Sequence, residues 1–262
     1  MKNLLQKYKA LPDKRVVLLQ SGGLDSCVCD ALLHQAGFEV TELFVDYGQS
    51  ALEKEWAMSQ EMSDLYGHKL IRVSVDLPWL KTLPIVGGTV ESTGVEEIKR
   101  GVVDPESYIP LRNQILISIA GSLAESLQIR YICTGLNGSQ NILGKPRDGF
   151  VDTHPNFAKA LQKSLTEGSV MKHHLNSSFK VLTPLMSKSK PEIIALGFAV
   201  GANMSLSWSC FNNGDVPCCH CSSCIGRAEG FHLIGAEDPL LTDLGIKFPK
   251  ITYFSNLFLE PT

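Results

Sequence analysis

The first 75 residues constrain the fold most, because short apolar runs alternate there with longer amphipathic ones. Arg15-Val16-Val17-Leu18-Leu19-Gln20 is too short for a helix and runs straight into a glycine-rich turn. Buried parallel strands are written this way, since both of their faces meet helices. Residues 24–35 then read as a helix closed by Gly37. Residues 39–46 give a second strand through Val40, Leu43, Phe44 and Val45, and residues 51–66 a second helix ended by Gly67. Residues 69–75 alternate as a third strand. This order of strand, helix, strand, helix, strand predicts an α/β fold with a doubly wound, mostly parallel sheet.

Residues 77–107 break the rhythm with Pro78, Pro84, Gly87, Gly88, Gly94, Gly101 and Pro105. An excursion of that length reads as a functional lid. The pattern resumes with a helix over 114–127, a strand over 131–136, a polar loop over 137–152 and a helix over 156–165. A strand over 180–185 and a helix over 191–196 complete a five-stranded sheet. The chain of 262 residues is 44 % apolar and 19 % charged, so it can bury such a sheet. Its formal charge of −3 leaves no chain-wide basic footprint for nucleic acid. The N-terminus has no apolar signal region, and nowhere are there the roughly 18 consecutive apolar residues a membrane helix needs. The expectation is a cytoplasmic protein with no membrane partner.

Strand one feeds Ser21-Gly22-Gly23-Leu24-Asp25-Ser26, and a helix begins at once. Two glycines permit a tight turn and close backbone approach. The first amides of the helix, and its dipole, favour an anion in the turn. Ser21 and Ser26 add hydroxyls. Asp25 beside phosphate needs a bridging cation, which points to Mg²⁺. The lysine of a Walker A loop is absent, and the spacing is not that of a dinucleotide-binding G-x-G-x-x-G turn.

Five of the eight cysteines, Cys210, Cys218, Cys219, Cys221 and Cys224, crowd into a short C-terminal stretch. Reduced, clustered cysteines suggest metal before disulfide. Cys218-x-x-Cys221-x-x-Cys224 with Cys210 gives four thiolates, a set that suits tetrahedral Zn²⁺ or an iron–sulfur cluster. Cys219 is the spare, and His220 is the weaker ligand candidate. Four protein ligands leave no open position, so the ion is expected to be structural.

The Ser-Gly-Gly-x-Asp-Ser turn at the first strand resembles the PP-loop of the ATP pyrophosphatases, which cleave ATP between its α and β phosphates and adenylate their substrate. Further matches follow in order: Asp46-Tyr47-Gly48-Gln49, Pro110-Leu111-Arg112-Asn113, Thr134-Gly135, Thr183-Pro184-Leu185-Met186 before Lys190-Pro191-Glu192-Ile193, and Trp208-Ser209-Cys210 with the cysteine run. Together they cover about residues 16–227 and resemble the 7-cyano-7-deazaguanine synthases of queuosine biosynthesis. The resemblance implies an adenine-nucleotide α-hydrolase domain over 1–200 and a zinc-bound subdomain over 201–262. It implies ATP held by Gln20, Ser21, Gly22, Gly23, Leu24, Asp25 and Ser26, with Phe44 and Asp46 at the end of strand two. Asp25, Arg112 and Lys190 are then catalytic, Lys190 balancing phosphate or adenylate charge. Tyr47, Gln49, Arg112, Asn113, Gly135, Asp152 and Phe157 are expected to meet the substrate, and zinc is favoured at Cys210, Cys218, Cys221 and Cys224. The implied reaction joins 7-carboxy-7-deazaguanine and ammonia at the cost of ATP.

Three departures stand out. Leu111 replaces a usual glycine, and Ser50 a frequent basic residue. In the substrate loop Asp152 and Phe157 are kept, but the usual Cys and Arg are replaced, after an apparent insertion containing Lys145-Pro146-Arg147. His154 is a substitute for the missing basic group. The departures leave open a second acceptor, an amine of a protein or nucleic acid. A non-catalytic nucleotide-sensing subunit is a further reading, opposed by the intact Ser21-to-Ser26 turn with Lys190. The tail after Arg227 either packs on the domain or builds an oligomer contact, a homodimer being the partner expected there.

Overall fold

The computed structural model describes residues 2–83, 85–88, 109–142, 145–148 and 151–247. Five strands, β1 (Arg15–Leu19), β2 (Glu39–Asp46), β3 (Lys69–Ser74), β4 (Tyr131–Cys133) and β7 (Lys180–Leu182), form one sheet of order β3-β2-β1-β4-β7. Every pairing in it is parallel, including Val16 against Val40 and Tyr131. The helices are α1 (Lys2–Lys9), α2 (Leu24–Gln35), α3 (Leu52–Tyr66), α4 (Arg112–Ser126), α5 (Pro155–Glu167), α6 (Val170–Leu175), α7 (Lys190–Val200), α8 (Ser222–Leu233) and α9 (Pro239–Asp243).

The two-residue period of the strands sorts their side chains into two cores. Val16, Leu18, Val40, Tyr131, Cys133 and Leu182 face α2, α3 and α7, where they meet Leu32, Met62 and Ile193. Val17, Leu43, Val45 and Ile132 face α4 and α5, meeting Ile117, Ala120, Ala124 and Leu161. Central β1 is therefore apolar on both faces, with Val16, Val17 and Leu18 wholly buried. Each such side chain contributes about 1.5–3 kcal/mol. Gly67 closes α3 in the left-handed conformation. Ser189 and Glu192 form a capping box at the start of α7, with Pro191 in its first turn.

The segment 201–247 adds Trp208, Cys210, Cys221, Cys224, Phe231 and Leu240 to the same core as Val16. Leu240 and Leu241 are thus buried in the fold, whereas Phe248, Phe254, Leu257 and Phe258 lie outside the described residues. Helix α8 crosses α7 closely at Gly230, where a Cβ would come within 2.6 Å of Ile194 Cδ1 and 2.9 Å of Lys190 Cγ.

Several elements differ from expectation. The polar stretch 137–152 is not a plain loop: it holds an antiparallel hairpin, β5 (Ser139–Ile142) with β6 (Lys145–Asp148), in which Asn141 pairs with Pro146. A two-stranded ribbon has only edges, so proline is tolerated there. Strand β4 ends at Cys133, three residues early, because the chain turns away there toward the site. Helices α1, α6, α8 and α9 were not among the expected elements. Of the excursion 77–107, residues 84 and 89–107 lie outside the described residues, and the lid expectation with them. Its flanks are anchored: Leu80, Ile85, Val86 and Ile109 form a small cluster, and Gln49 bridges to Val86. Among the described residues no helix is long and apolar enough to cross a membrane.

Candidate active site

Strand β1 pairs with β2 on one side and β4 on the other, so the chain leaves the carboxyl ends of β1 and β4 toward opposite flanks. Ligands of open α/β sheets bind at such a divergence. Gly135, after β4, sits against the turn after β1: a Cβ there would lie 3.1 Å from Asp25 Cβ and 3.3 Å from the Ser26 amide nitrogen. Gly135 thus packs directly on the turn after β1.

The turn itself is held from within. The Ser21 hydroxyl lies 3.1 Å from the Ser26 hydroxyl, which donates to the Gly23 carbonyl at 3.0 Å. Gln20, buried, accepts the Gly22 N–H on Oε1 at 3.2 Å and donates from Nε2 to Glu42. Gly22 adopts φ +68, and a Cβ there would lie 2.2 Å from the Glu55 carbonyl oxygen, so glycine is required twice over. From outside, the Trp208 N–H donates to the Gly22 carbonyl at 2.7 Å. Gly23 begins α2 without a side-chain cap. The first amides of that helix are left for an anion.

Asp25 opens α2 and Lys190 opens α7, yet their side chains meet: Nζ to Oδ1 is 2.6 Å. The protein therefore supplies its own cation beside the Asp25 carboxylate. Both groups are about a quarter exposed, so the pair is accessible from the cleft.

At the end of β2, Asp46 accepts from Arg72 at 2.8 Å, Ser74 at 3.2 Å and the Gly48 N–H at 3.1 Å. Burial pushes its carboxyl up, but the Arg72 guanidinium and these donors outweigh it and hold it below the usual range. Its oxygens are thus engaged by the strand end. Phe44 is buried against Trp56 and serves the core. Gln49 accepts the Tyr47 N–H on Oε1 and donates from Nε2 to Glu55 at 3.1 Å. Arg112 reaches the Tyr47 hydroxyl at 3.5 Å. Glu55 was not anticipated, and its place one turn into α3, beneath Gly22, is the only signal. Burial pushes its carboxyl up to about 7, against the lowering effects of Gln49 and Arg112.

Asp152 is buried, and its carboxylate accepts the Asn113 N–H at 3.4 Å, while Asn113 Nδ2 donates to the Asp152 carbonyl at 3.4 Å. The two residues thus brace the start of α4 on which Arg112 stands. Phe157 packs into the α4–α5 core, and His154 stands at the N-cap position of α5 without a side-chain capping bond. Leu111 takes φ 52, ψ 23, the left-handed conformation that favours glycine, the residue the resemblance implied here.

Cys210, Cys218, Cys221 and Cys224 converge, their sulfurs all within 4.8 Å of one another. The Cys218 and Cys224 sulfurs are 3.9 Å apart, close to the edge of a tetrahedron with about 2.3 Å metal–sulfur bonds. Backbone N–H groups of Asn212, Cys218, Cys221 and Cys224 point at these sulfurs, as around thiolates. The four residues fit a bound metal ion. Cys219 turns away with φ +60 toward the Pro217 carbonyl, the spare that the spacing implied. Arg227, unnoticed in the sequence, anchors this segment: it donates to both Asp238 oxygens at 2.6 and 2.8 Å and to the carbonyls of Ser207 and Met204.

Comparison with known proteins gives a consistent result. The family model for queuosine biosynthesis protein QueC matches residues 15–235. A 7-cyano-7-deazaguanine synthase of Thermoplasma acidophilum is 34 % identical over 228 residues, 87 % of this chain and 91 % of that protein. Its namesake in Thermoplasma volcanium is 34 % identical over 248 residues, covering 94 % and 96 %. A third, of Chlorobaculum parvum, is 32 % identical over 86 % of this chain and 95 % of its own. A glycine turn clamped between α2, α3 and Trp208, and a four-cysteine cluster beside it, are thus features of a chain that belongs to the queuosine biosynthesis protein QueC family.

Proposed function

We propose that this protein converts 7-carboxy-7-deazaguanine and ammonia to 7-cyano-7-deazaguanine with two molecules of ATP. The observation that carries the reading is the meeting of Asp25 and Lys190 across an uncapped phosphate turn, in a chain whose similar proteins bear the name of that synthase. The substrate carboxylate attacks the α-phosphorus of ATP and pyrophosphate leaves. Ammonia adds to the acyl-adenylate, AMP departs, and a proton is lost, giving the amide. The amide oxygen attacks the α-phosphorus of a second ATP, a second pyrophosphate leaves, and loss of AMP with both N–H protons leaves the nitrile.

The protein's part is orientation and charge neutralisation. The Ser21-to-Ser26 turn receives the phosphates through backbone amides. Lys190 and Arg112 bring positive charge to the reacting centre, and Tyr47 and Asp152 set the position of Arg112. Asp25 would hold Mg²⁺, whose charge would offset that of the phosphates. Cys210, Cys218, Cys221 and Cys224 would hold Zn²⁺, which would tie the C-terminal segment to the sheet.

Incubation with ATP, the carboxy-deazapurine and ammonia tests the reading. About two AMP per nitrile are expected, one for each activated oxygen. Absence of AMP overturns adenylation. AMP with a mass-shifted protein or nucleic acid in place of nitrile turns the reading to another amine acceptor.

A further inference from the structure

Beneath the phosphate turn, on the α2–α3 side of the sheet, lie three titratable side chains that the proposed reaction does not use. Asp30 comes from α2, Glu42 from the middle of β2, and His68 from the turn between α3 and β3. Asp30 and Glu42 are wholly buried, and the His68 side chain is 6 % exposed. His68 Nδ1 is 2.9 Å from Asp30 Oδ1 and 3.6 Å from Glu42 Oε1. Even so, both Asp30 oxygens, Glu42 Oε2 and His68 Nδ1 have no hydrogen-bond partner among the described residues. His68 Nδ1 and Asp30 Oδ1 are in ion-pair contact. Asp30 Oδ2 and Glu42 Oε2 are thus buried with no donor to receive them among the described residues.

A tetrahedral ion with bonds of about 2.0–2.1 Å sets its donor atoms about 3.3 Å apart. The two measured separations from Nδ1 bracket that spacing, and one donor atom from each residue lies within 4.8 Å of the others. We propose that Asp30, Glu42 and His68 form a second metal site, taking a first-row divalent cation of the Zn²⁺ or Mn²⁺ kind through one imidazole nitrogen and the carboxylate oxygens. Mixed nitrogen and oxygen donors suit such ions, and this set shares neither a residue nor its chemistry with the four thiolates. The outer partners are in place. Gln20 donates to Glu42 Oε1 at 3.4 Å and accepts the Gly22 N–H, so the ligand is hydrogen-bonded through to the phosphate turn. The rings of His34 and Tyr66 each lie 5.5 Å from that of His68 and cover it.

Metal analysis of the full chain, purified without chelator or metal-affinity resin, tests the site. About two ions per chain are expected, falling to about one in Asp30→Asn/Glu42→Gln and, separately, in Cys221→Ser. In Cys221→Ser protein stripped by chelator, added Mn²⁺ or Zn²⁺ should raise the melting temperature and saturate near one equivalent. The same addition to a variant that also carries Asp30→Asn/Glu42→Gln should do nothing. Should the amide variant fail to fold, His68→Gln at the rim of the cluster gives the same reading. The wild-type stoichiometry decides independently of any variant. About one ion in the wild type overturns the proposal, and so does a second ion that the Asp30→Asn/Glu42→Gln variant retains.

Discussion

Leu111 precedes Arg112 in the left-handed conformation, φ 52 and ψ 23, with 56 % of its surface exposed. A side chain bearing Cβ loses about 1–2 kcal/mol there. Glycine loses none of that, though it gives up about 0.5–1 kcal/mol more chain entropy on folding than alanine. Leu111→Gly and Leu111→Ala forfeit the same partial burial, less than half of about 1.5–3 kcal/mol. The packing loss cancels between them, and the difference isolates the backbone. Leu111→Gly is expected to be more stable than Leu111→Ala by about 0.5–1 kcal/mol, a melting difference of roughly 1–4 °C in a chain of this size. Urea denaturation with a common m-value measures it. An alanine variant as stable as the glycine variant would refute backbone strain at this position.

Asp25→Ala should lower AMP formation by about 10²–10³-fold, while the accessible Asp25–Lys190 pair contributes at most about 1 kcal/mol to stability; near-normal AMP output would remove Asp25 from the mechanism. Cys221→Ser should lose the cysteine-bound metal and Cys219→Ser should keep it, as read by metal analysis; equal losses would contradict the assigned ligand set. The Glu55 carboxyl is raised to about 7 chiefly by burial, so its contribution to stability is present below its ordinary value and lost as pH rises through 7. Between about pH 5 and 8 the unfolding free energy of the wild type should therefore fall by about 2 kcal/mol more than that of Glu55→Gln, and parallel profiles would exclude the effect. Arg227→Met leaves Asp238 buried without its partner and should cost about 3–5 kcal/mol; a loss under about 1 kcal/mol would show the network to be dispensable.

The first three strands and two helices were legible because their apolar periods differ so clearly. Helix α2 spans 24–35 and β2 spans 39–46, as the pattern implied. The phosphate turn and the four-thiol set were legible from spacing alone, since each is a local arrangement of chemically distinctive residues. Contacts between distant segments were not. Nothing near Asp25 announces Lys190, and nothing near Arg227 beyond its charge announces the bonds it makes to Ser207 and Met204. Helix α8 begins inside the cysteine run, and Gly226 and Gly230 weaken its helical signal, yet Gly230 is what lets it approach α7. Asp152 carried a ligand-like signal in the sequence, and the structure spends its carboxylate on the Asn113 amide. The Asp30–Glu42–His68 cluster did leave a trace: Asp30 and Glu42 occupy positions where the surrounding pattern calls for apolar residues.

The bond from the Trp208 N–H to the Gly22 carbonyl joins the beginning of the chain to its last quarter. Contacts of such sequence separation form late in folding, because the intervening chain must be ordered first. A nascent chain that has emerged only as far as α7 already holds the glycine turn and both members of the Asp25–Lys190 pair, but not the amide that clamps the turn. The clamp on the turn thus forms only once the cysteine segment has left the ribosome and closed on the sheet.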